Sequence, residues 1–307
     1  MKTIPVVHCF NNNYTIPASV AIVSMLINAD KSYLYKIHIL HSDITAKHQA
    51  KLAEIVKPFN NAQIEFLYME SEQYKMFDNI MTQRDEGFYY TKETFYRFFI
   101  PTLFPDYNKI FYADVDVVWT GDIAKVFNDF DINKGYYLSM REHGYFPSLD
   151  VTLTRTPLYT KEELNVVLKF CAGNIVYNAK KMREDNILDR LIKHTTENAK
   201  KLFLLDQDVL NIVCQDKIHA MMPSCGVFPF EIEAFENGEL PFNYQTNLTE
   251  LIDGFENPVQ IHFGSHIKPW NNFCKLSEIW YEYLFKTTFV KEHFNARQKL
   301  EKKDKNN

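Results

Sequence analysis

Short apolar runs alternate with amphipathic segments through the first 120 residues of the chain. Residues 4–10 form a continuous apolar run, as in a buried strand, and end in the polar loop Asn11-Asn12-Asn13. Pro17 then suits the first turn of a helix reaching about Asn28. A second strand is predicted over 35–40, a helix over 45–59 with Leu52, Ile55 and Val56 on one side, and a third strand over 64–69. Residues 92–104 are predicted helical up to the Pro105-Asp106 turn, and 110–119 close the series as a strand. Such alternation implies an α/β fold with a mainly parallel central sheet flanked by helices. In sheets of that kind ligands bind beyond the carboxyl ends of the strands. Residues 11–13 and the acidic pair Asp114 and Asp116 both fall at such ends.

Beyond residue 120 the alternation loosens. Short strands are predicted over 135–140, 174–177 and 259–263, and helices over 179–194, 206–214 and 277–285. Residues 142–169 and 228–258 have weak periodicity and several Pro and Gly, which predicts long loops or a small lobe. The pattern divides into a single domain over 1–275, with halves 1–120 and 121–275, and a C-terminal helix and basic tail over 276–307.

Composition narrows the function. The 307 residues carry 34 Lys and Arg against 39 Asp and Glu, a net charge of −5, which gives no electrostatic case for nucleic acid. Five scattered cysteines without a C-x-x-C argue against a disulfide framework or zinc site and point to a reducing, cytoplasmic setting. The N-terminal apolar run is too short for a signal peptide, and no segment reaches the roughly 18 apolar residues of a membrane span. Nine glycines, none in a G-x-G pair, exclude a dinucleotide fingerprint, a Walker A loop and a serine-nucleophile elbow. If the chain binds a nucleotide diphosphate, a metal and a cationic side chain must therefore neutralise the phosphates.

The chemistry concentrates in Phe111-Tyr-Ala-Asp-Val-Asp-Val-Val-Trp119. On a strand, Asp114 and Asp116 project from the same face. Two carboxylates there are costly without compensation, and the usual compensator is a divalent metal shared with a phosphate. The chain has two other D-x-D pairs, Asp129/Asp131 and Asp206/Asp208, but only the first lies inside a strongly apolar run. His262 and Lys268 are natural additions, as a neutral imidazole ligand and a point charge for phosphate; a half-buried strand histidine is the bland alternative for His262. Arg97 sits among Phe95, Phe98, Phe99 and Ile100 and needs an anionic partner, in a structural ion pair or a ligand. Asp206 and Asp208 open a helix, where acidic residues also interact with the dipole.

Together these segments resemble the family 8 retaining glycosyltransferases, which include bacterial lipopolysaccharide galactosyl- and glucosyltransferases and glycogenin. The resemblance runs from about Ile4 to Trp270. It rests on the opening strand and Asn-Asn-Tyr loop, Phe95-Tyr-Arg97, Tyr112-Ala-Asp-Val-Asp116, Ala172-Gly173 with Tyr177-Asn178, Asp206-Gln-Asp208, and His262 with Lys268-Pro-Trp270. It implies a GT-A-type nucleotide-diphospho-sugar transferase fold, whose first half binds the nucleotide and whose second half binds donor sugar and acceptor. Asp114, Asp116 and His262 would hold Mn²⁺, with Mg²⁺ the other candidate. Asn11, Asn13 and Tyr14 would line the uridine pocket, and Lys268 would meet the diphosphate. Arg97, Val115, Cys171, Ala172, Gly173 and Gly264 would complete the donor site. Asp206 and Gln207 would be catalytic, Gln207 facing the anomeric carbon. An amide is a poor nucleophile, so direct front-face displacement is favoured over a covalent glycosyl intermediate.

Three positions depart from the family pattern. Asn11 stands where many members have an aspartate, Cys171 replaces an asparagine, and an aspartate expected near 135–142 matches only Glu142 or Arg141 loosely. The expected activity is transfer of glucose or galactose from a UDP-sugar to a glycan or glycolipid acceptor, with lipopolysaccharide core foremost and self-glucosylation on tyrosine as the rival. Two alternatives remain at this level. One is a phosphatase using Asp114-Val-Asp116-Val-Val118, and the other is a non-catalytic sugar-nucleotide-binding relative. Residues 286–307 hold seven Lys and Arg against three Asp and Glu. With Phe285, Phe289 and Phe294, they suggest a peripheral contact with the inner face of the cell membrane.

Overall fold

The structure is a computed structural model and describes residues 1–70, 72–81, 91–143, 158–239 and 248–304. Its centre is a seven-stranded sheet in the order β3-β2-β1-β4-β7-β6-β8. The strands are β1 (Lys2–Cys9), β2 (Tyr33–His41), β3 (Ala62–Tyr68), β4 (Ile110–Ala113), β6 (Leu138–Glu142), β7 (Phe170–Tyr177) and β8 (Ile218–Ala220). β1 runs parallel to β2 and β4, and β2 parallel to β3, while β7 is antiparallel to both β4 and β6. A second sheet of three strands contains β5 (Val117–Trp119), β9 (Cys225–Val227) and β10 (Gln260–His262), with β10 in the middle.

Strand alternation explains the two-sided core. Ile4, Val6, Ile37, Ile39, Phe111 and Val176 face one layer, with the helix Thr15–Asn28 packed on it. Val7, Leu40, Ile110, Tyr112, Ile175 and Tyr177 face the other, together with Phe95, Phe98 and Phe99. Both faces are thus apolar, as a mainly parallel sheet requires.

Several predicted elements change. The run 110–119 is two strands in different sheets, broken at residues 114–116, so Asp114 and Asp116 lie in a turn beyond β4. Two acidic side chains at the sheet edge are more cheaply accommodated there than inside a ladder. The helix expected over 179–194 divides into Ala179–Glu184 and Ile187–Glu197 at Asn186, whose φ is 49°. Residues 92–104 are helical in two pieces, a 3₁₀ segment Lys92–Phe99 and a short α-turn Ile100–Leu103. The regions expected as loops contain helices Lys161–Val167, Pro229–Glu236 and Leu248–Glu256; residues 144–157 and 240–247 lie outside the described residues.

The C-terminal tail also differs. Residues Val290–Asp304 form a helix, and Phe289 just before it is completely buried beneath Lys51 and His48. Phe289 is therefore a core residue, and only Phe285 and Phe294 of the aromatic trio are exposed. Among the described residues no helix is long and apolar enough to cross a membrane.

Candidate active site

The break between β4 and β5 sets up the site. Asp114 N–H still donates to Gly173 O on β7 at 2.8 Å, which ties the start of the turn to the large sheet. Asp116 O accepts from Phe263 N at 2.9 Å, which ties its end to the segment after β10. The turn thus bridges the two sheets, and its carboxylates meet His262 at the end of β10. Asp116 Oδ1 faces His262 Nε2 at 3.2 Å, and Asp114 Oδ2 lies 3.9 Å from the same nitrogen.

One ligand atom from each of Asp114, Asp116 and His262 lies within 4.8 Å of the others. Donors about 2.1 Å from a shared divalent cation stand roughly 3–4.2 Å apart, close to the spacing found here. Two carboxylates and an imidazole are a donor set suited to Mn²⁺ or Mg²⁺ rather than to a thiolate-seeking metal. The residues present therefore fit a divalent ion.

Cationic side chains surround the pair. Lys268 Nζ bonds both Asp116 Oδ2 and Phe263 O. Arg97 Nη2 donates to Asp114 Oδ1 at 3.0 Å, its Nη1 to Ala172 O at 2.6 Å, and its Nε approaches Asp206 Oδ2 at 3.1 Å. The arginine is thereby held between two carboxylates and over the Tyr112 ring. Burial works against ionising Asp116, but Lys268 and His262 outweigh it and hold the carboxyl far below the usual range. For His262, burial alone would lower the pKa, and Asp116 overrides that and pushes it up to about 10. Asp206 is raised to about 7 because burial outweighs the opposing pull of Arg97 and Thr94.

The His262 ring sits in a slot that only glycines permit. A Cβ on Gly173 would lie 2.2 Å from His262 Cε1, and one on Gly264 would lie 2.5 Å from Phe228 Cε1 and 3.2 Å from His262 Nε2. Phe228 packs against the ring at 4.8 Å, and Cys171 Sγ lies 3.9 Å from its Nδ1. Burial would raise the Cys171 thiol, but His143 and His262 bring it down to about 6. Orientation of a ligating imidazole through its other nitrogen is a common second-layer device.

A cleft open to solvent is lined by Cys9, Phe10, Tyr14, Thr91, Glu93, Thr94, Arg97, Asp114, Val115, Asp116 and Lys268. Of the expected residues, Tyr14, Arg97, Asp114, Val115, Asp116 and Lys268 share this cleft, and His262 adjoins it through the two aspartates. Cys171, Ala172, Gly173 and Gly264 sit around His262, Arg97 or Gln207 instead of lining it. Asn11 and Asn13 also do not line it; Asn11 Oδ1 accepts from Asn13 N at 3.1 Å and so caps its own turn. Gln207 accepts from Ala172 N at 3.1 Å and lies beside His143, the two nitrogens 3.3 Å apart. Leu205, immediately before the catalytic candidates, has φ 54°, a strained conformation for a leucine, and its fully buried side chain holds it there. Asp208 turns the other way, accepting from Leu204 N at 3.2 Å and Tyr159 OH at 2.7 Å, so it is structural.

The two loose matches to the family aspartate, Glu142 and Arg141, are both buried at the end of β6. Arg141 is turned away and paired with Glu231 through Nη2 at 2.6 Å and Nη1 at 3.1 Å. The residue that reaches Gln207 and Cys171 is His143, stacked on Phe228 at 5.6 Å. A register shift between Met140 and Arg141 in the β6–β7 ladder changes which side chains face the site. In this stretch the side chain placed against Gln207 is that of His143.

With this geometry in place, comparison with known proteins is decisive for the family. Residues 5–274 match the model for Glycosyl transferase family 8, and the chain belongs to that family. It is 25% identical over 284 residues to the glycosyltransferase GlyF of Streptococcus pneumoniae, covering 89% of this chain and 59% of that protein. Against GlyE of the same organism it is 26% identical over 192 residues, 62% of this chain and 40% of GlyE. The chain thus spans about half the length of the curated relatives it matches. Among solved structures it superposes on the galactosyltransferase LgtC with TM-score 0.72 at 17% identity, covering 95% of this chain and 99% of LgtC. The bifunctional glycosyltransferase WbbM gives 0.71 at 20%, over 96% of this chain and 51% of WbbM. The fold is of the GT-A type, and a phosphatase built on the D-x-D-x-V run is set aside.

Proposed function

We propose that the chain is a retaining hexosyltransferase that moves glucose or galactose from a UDP-sugar to a glycan acceptor. The observation that carries this reading is the convergence of Asp114, Asp116 and His262 beside Lys268 and Arg97 in one cleft of a family 8 fold. A divalent ion, Mn²⁺ foremost, would be held by the first three and would neutralise charge on the departing diphosphate. Lys268, already aimed at Asp116, adds a point charge for the same leaving group. Tyr14 and Phe10 offer flat apolar surface for the nucleoside.

The side-chain amide of Gln207 is fixed by Ala172 N–H and His143, so it presents a polar, weakly nucleophilic group to the sugar. That favours front-face displacement with retention, in which the acceptor hydroxyl approaches from the leaving-group side. Arg97 holds Asp206 and Asp114 in fixed relation, coupling the sugar end of the site to the metal end.

Incubation with Mn²⁺ and a panel of nucleotide sugars tests this, with release of UDP from UDP-glucose or UDP-galactose as the expected result. A preference for a GDP- or CMP-sugar, or equal turnover in EDTA, would overturn it. Nucleotide binding without hydrolysis or transfer would instead support a non-catalytic relative. Lipopolysaccharide core is the proposed acceptor, reached through the basic tail at an anionic membrane surface. Because Phe289 is core, that contact is tested by replacing Lys299, Lys302 and Lys303 with Glu in the full chain. Undiminished sedimentation with anionic vesicles, or none by either protein, counts against it.

A further inference from the structure

Glu93 is the least explained residue of the cleft. It lies on the 3₁₀ segment Lys92–Phe99, is only 3% exposed, and contributes to the cleft lining. Its Oε1 accepts from Ser42 Oγ, just beyond the end of β2. Its Oε2 is buried and has no hydrogen-bond partner among the described residues. A buried carboxyl oxygen left without a donor is costly, so a donor brought by a ligand accounts for it.

The position identifies the donor. Cys9 ends β1 and Ser42 follows β2, and Phe10 N bonds Leu40 O at 3.2 Å, so Glu93 sits over the carboxyl ends of adjacent parallel strands. Around it the cleft offers Cys9, Phe10, Tyr14 and Thr91, suited to a flat base, while Arg97, Asp114, Asp116 and Lys268 suit a diphosphate and its cation. In the neighbouring loop two side-chain carbonyls, those of Asn11 and Asn12, are engaged within the protein. Asn11 Oδ1 takes Asn13 N, and Asn12 Oδ1 takes Thr45 N at 3.2 Å and His48 Nδ1 at 2.7 Å.

We propose that Glu93 Oε2 is the group that reads the nucleobase, accepting an imide N–H such as N3–H of uracil. Cytosine presents a lone pair at N3, which a carboxyl oxygen repels. Glu93 is thus a specificity-determining residue, and the assignment rests on the nucleotide-sugar reading above.

Calorimetric titration of the full-length protein with UDP, N3-methyl-UDP and CDP, each with Mn²⁺, tests it. The wild type should bind UDP at least 10-fold more tightly than N3-methyl-UDP or CDP. Glu93→Gln keeps an acceptor for Ser42 and should weaken UDP about 10- to 100-fold while bringing the UDP and N3-methyl-UDP affinities together. Should Glu93→Gln unfold, as thermal melting would reveal, Glu93→Asp is the second variant and should shrink the same ratio. Equal wild-type affinity for UDP and N3-methyl-UDP, or a ratio unchanged in the variants, overturns the role of Glu93 alone. Absence of binding of any nucleoside diphosphate by the wild type overturns the nucleotide-sugar reading itself.

Discussion

At the scale of single residues, the geometry of the proposed metal site depends on side chains that are missing as much as on those present. Gly173 and Gly264 leave space for the His262 ring, and a methyl group on Gly173 has nowhere to go but into Cε1. Gly173→Ala should therefore displace the imidazole and weaken Mn²⁺ binding by at least 10-fold, measured by titration of the paramagnetic ion. A variant that binds Mn²⁺ like the wild type would show that the slot does not hold the ligand. Asp116→Asn keeps an oxygen for Lys268 but removes a ligand charge and the counter-charge of buried Lys268 and His262, so transfer should be lost and the melting temperature should fall without loss of the folded state. Much of this was legible, since Asp114, Asp116, His262, Lys268 and Arg97 all converge as their types and spacing suggest. Glu93 and His143 were not. Lys92-Glu93-Thr94 reads as a polar helix start, and nothing local reveals that Glu93 is buried; His143 is hidden by the register shift after Met140.

At the scale of elements, the sequence marks apolar runs well but does not say where a run changes sheet. Residues 110–119 look continuous because both halves are buried, Ile110–Ala113 in the large sheet and Val117–Trp119 in the small one. The two-residue spacing of the aspartates belongs to the turn between them. The short strands β8 and β9 escape notice because three residues leave no periodicity to read. The C-terminal segment shows the opposite error. Its lysines and phenylalanines suggest a basic tail offered to a membrane, yet Glu292 pairs with Lys47 at 2.9 Å and Lys51 at 3.0 Å, and Phe289 is fully buried. Phe289→Ala should then cost about 3–5 kcal/mol of stability, read as a lowered urea midpoint, whereas Phe285→Ala should cost little. Similar midpoints for the two variants would return the tail to a loosely attached role.

At the scale of the whole molecule, the site lies where the two sheets meet, so the site and the stability are interdependent, and pH exposes this. His8 is buried in the large sheet, its Nδ1 2.7 Å from Ala113 O next to Asp114, and burial lowers its pKa to about 4. His293, in the C-terminal helix, is lowered to about 4 by burial and then by Arg297. Both are neutral in the fold at pH 5, while the unfolded chain, with imidazoles near 6.5, takes up protons. The unfolded state then binds more protons, so stability falls as pH drops from about 6.5 toward 4. Asp206 has the opposite sign: raised to about 7, it favours the fold at low pH and loses that contribution as pH rises through 4 to 7. The wild-type slope is therefore a partial cancellation, and the informative quantity is a difference between variants. His293→Gln cannot be protonated on unfolding, so it should lose about 2 kcal/mol less than the wild type between pH 7.5 and 5. Asp206→Asn should shift the slope the other way, making the protein relatively more stable at pH 7.5 than at 5. Urea denaturation of the three proteins at both pH values measures this, and parallel pH dependences would show that neither group titrates as its surroundings dictate.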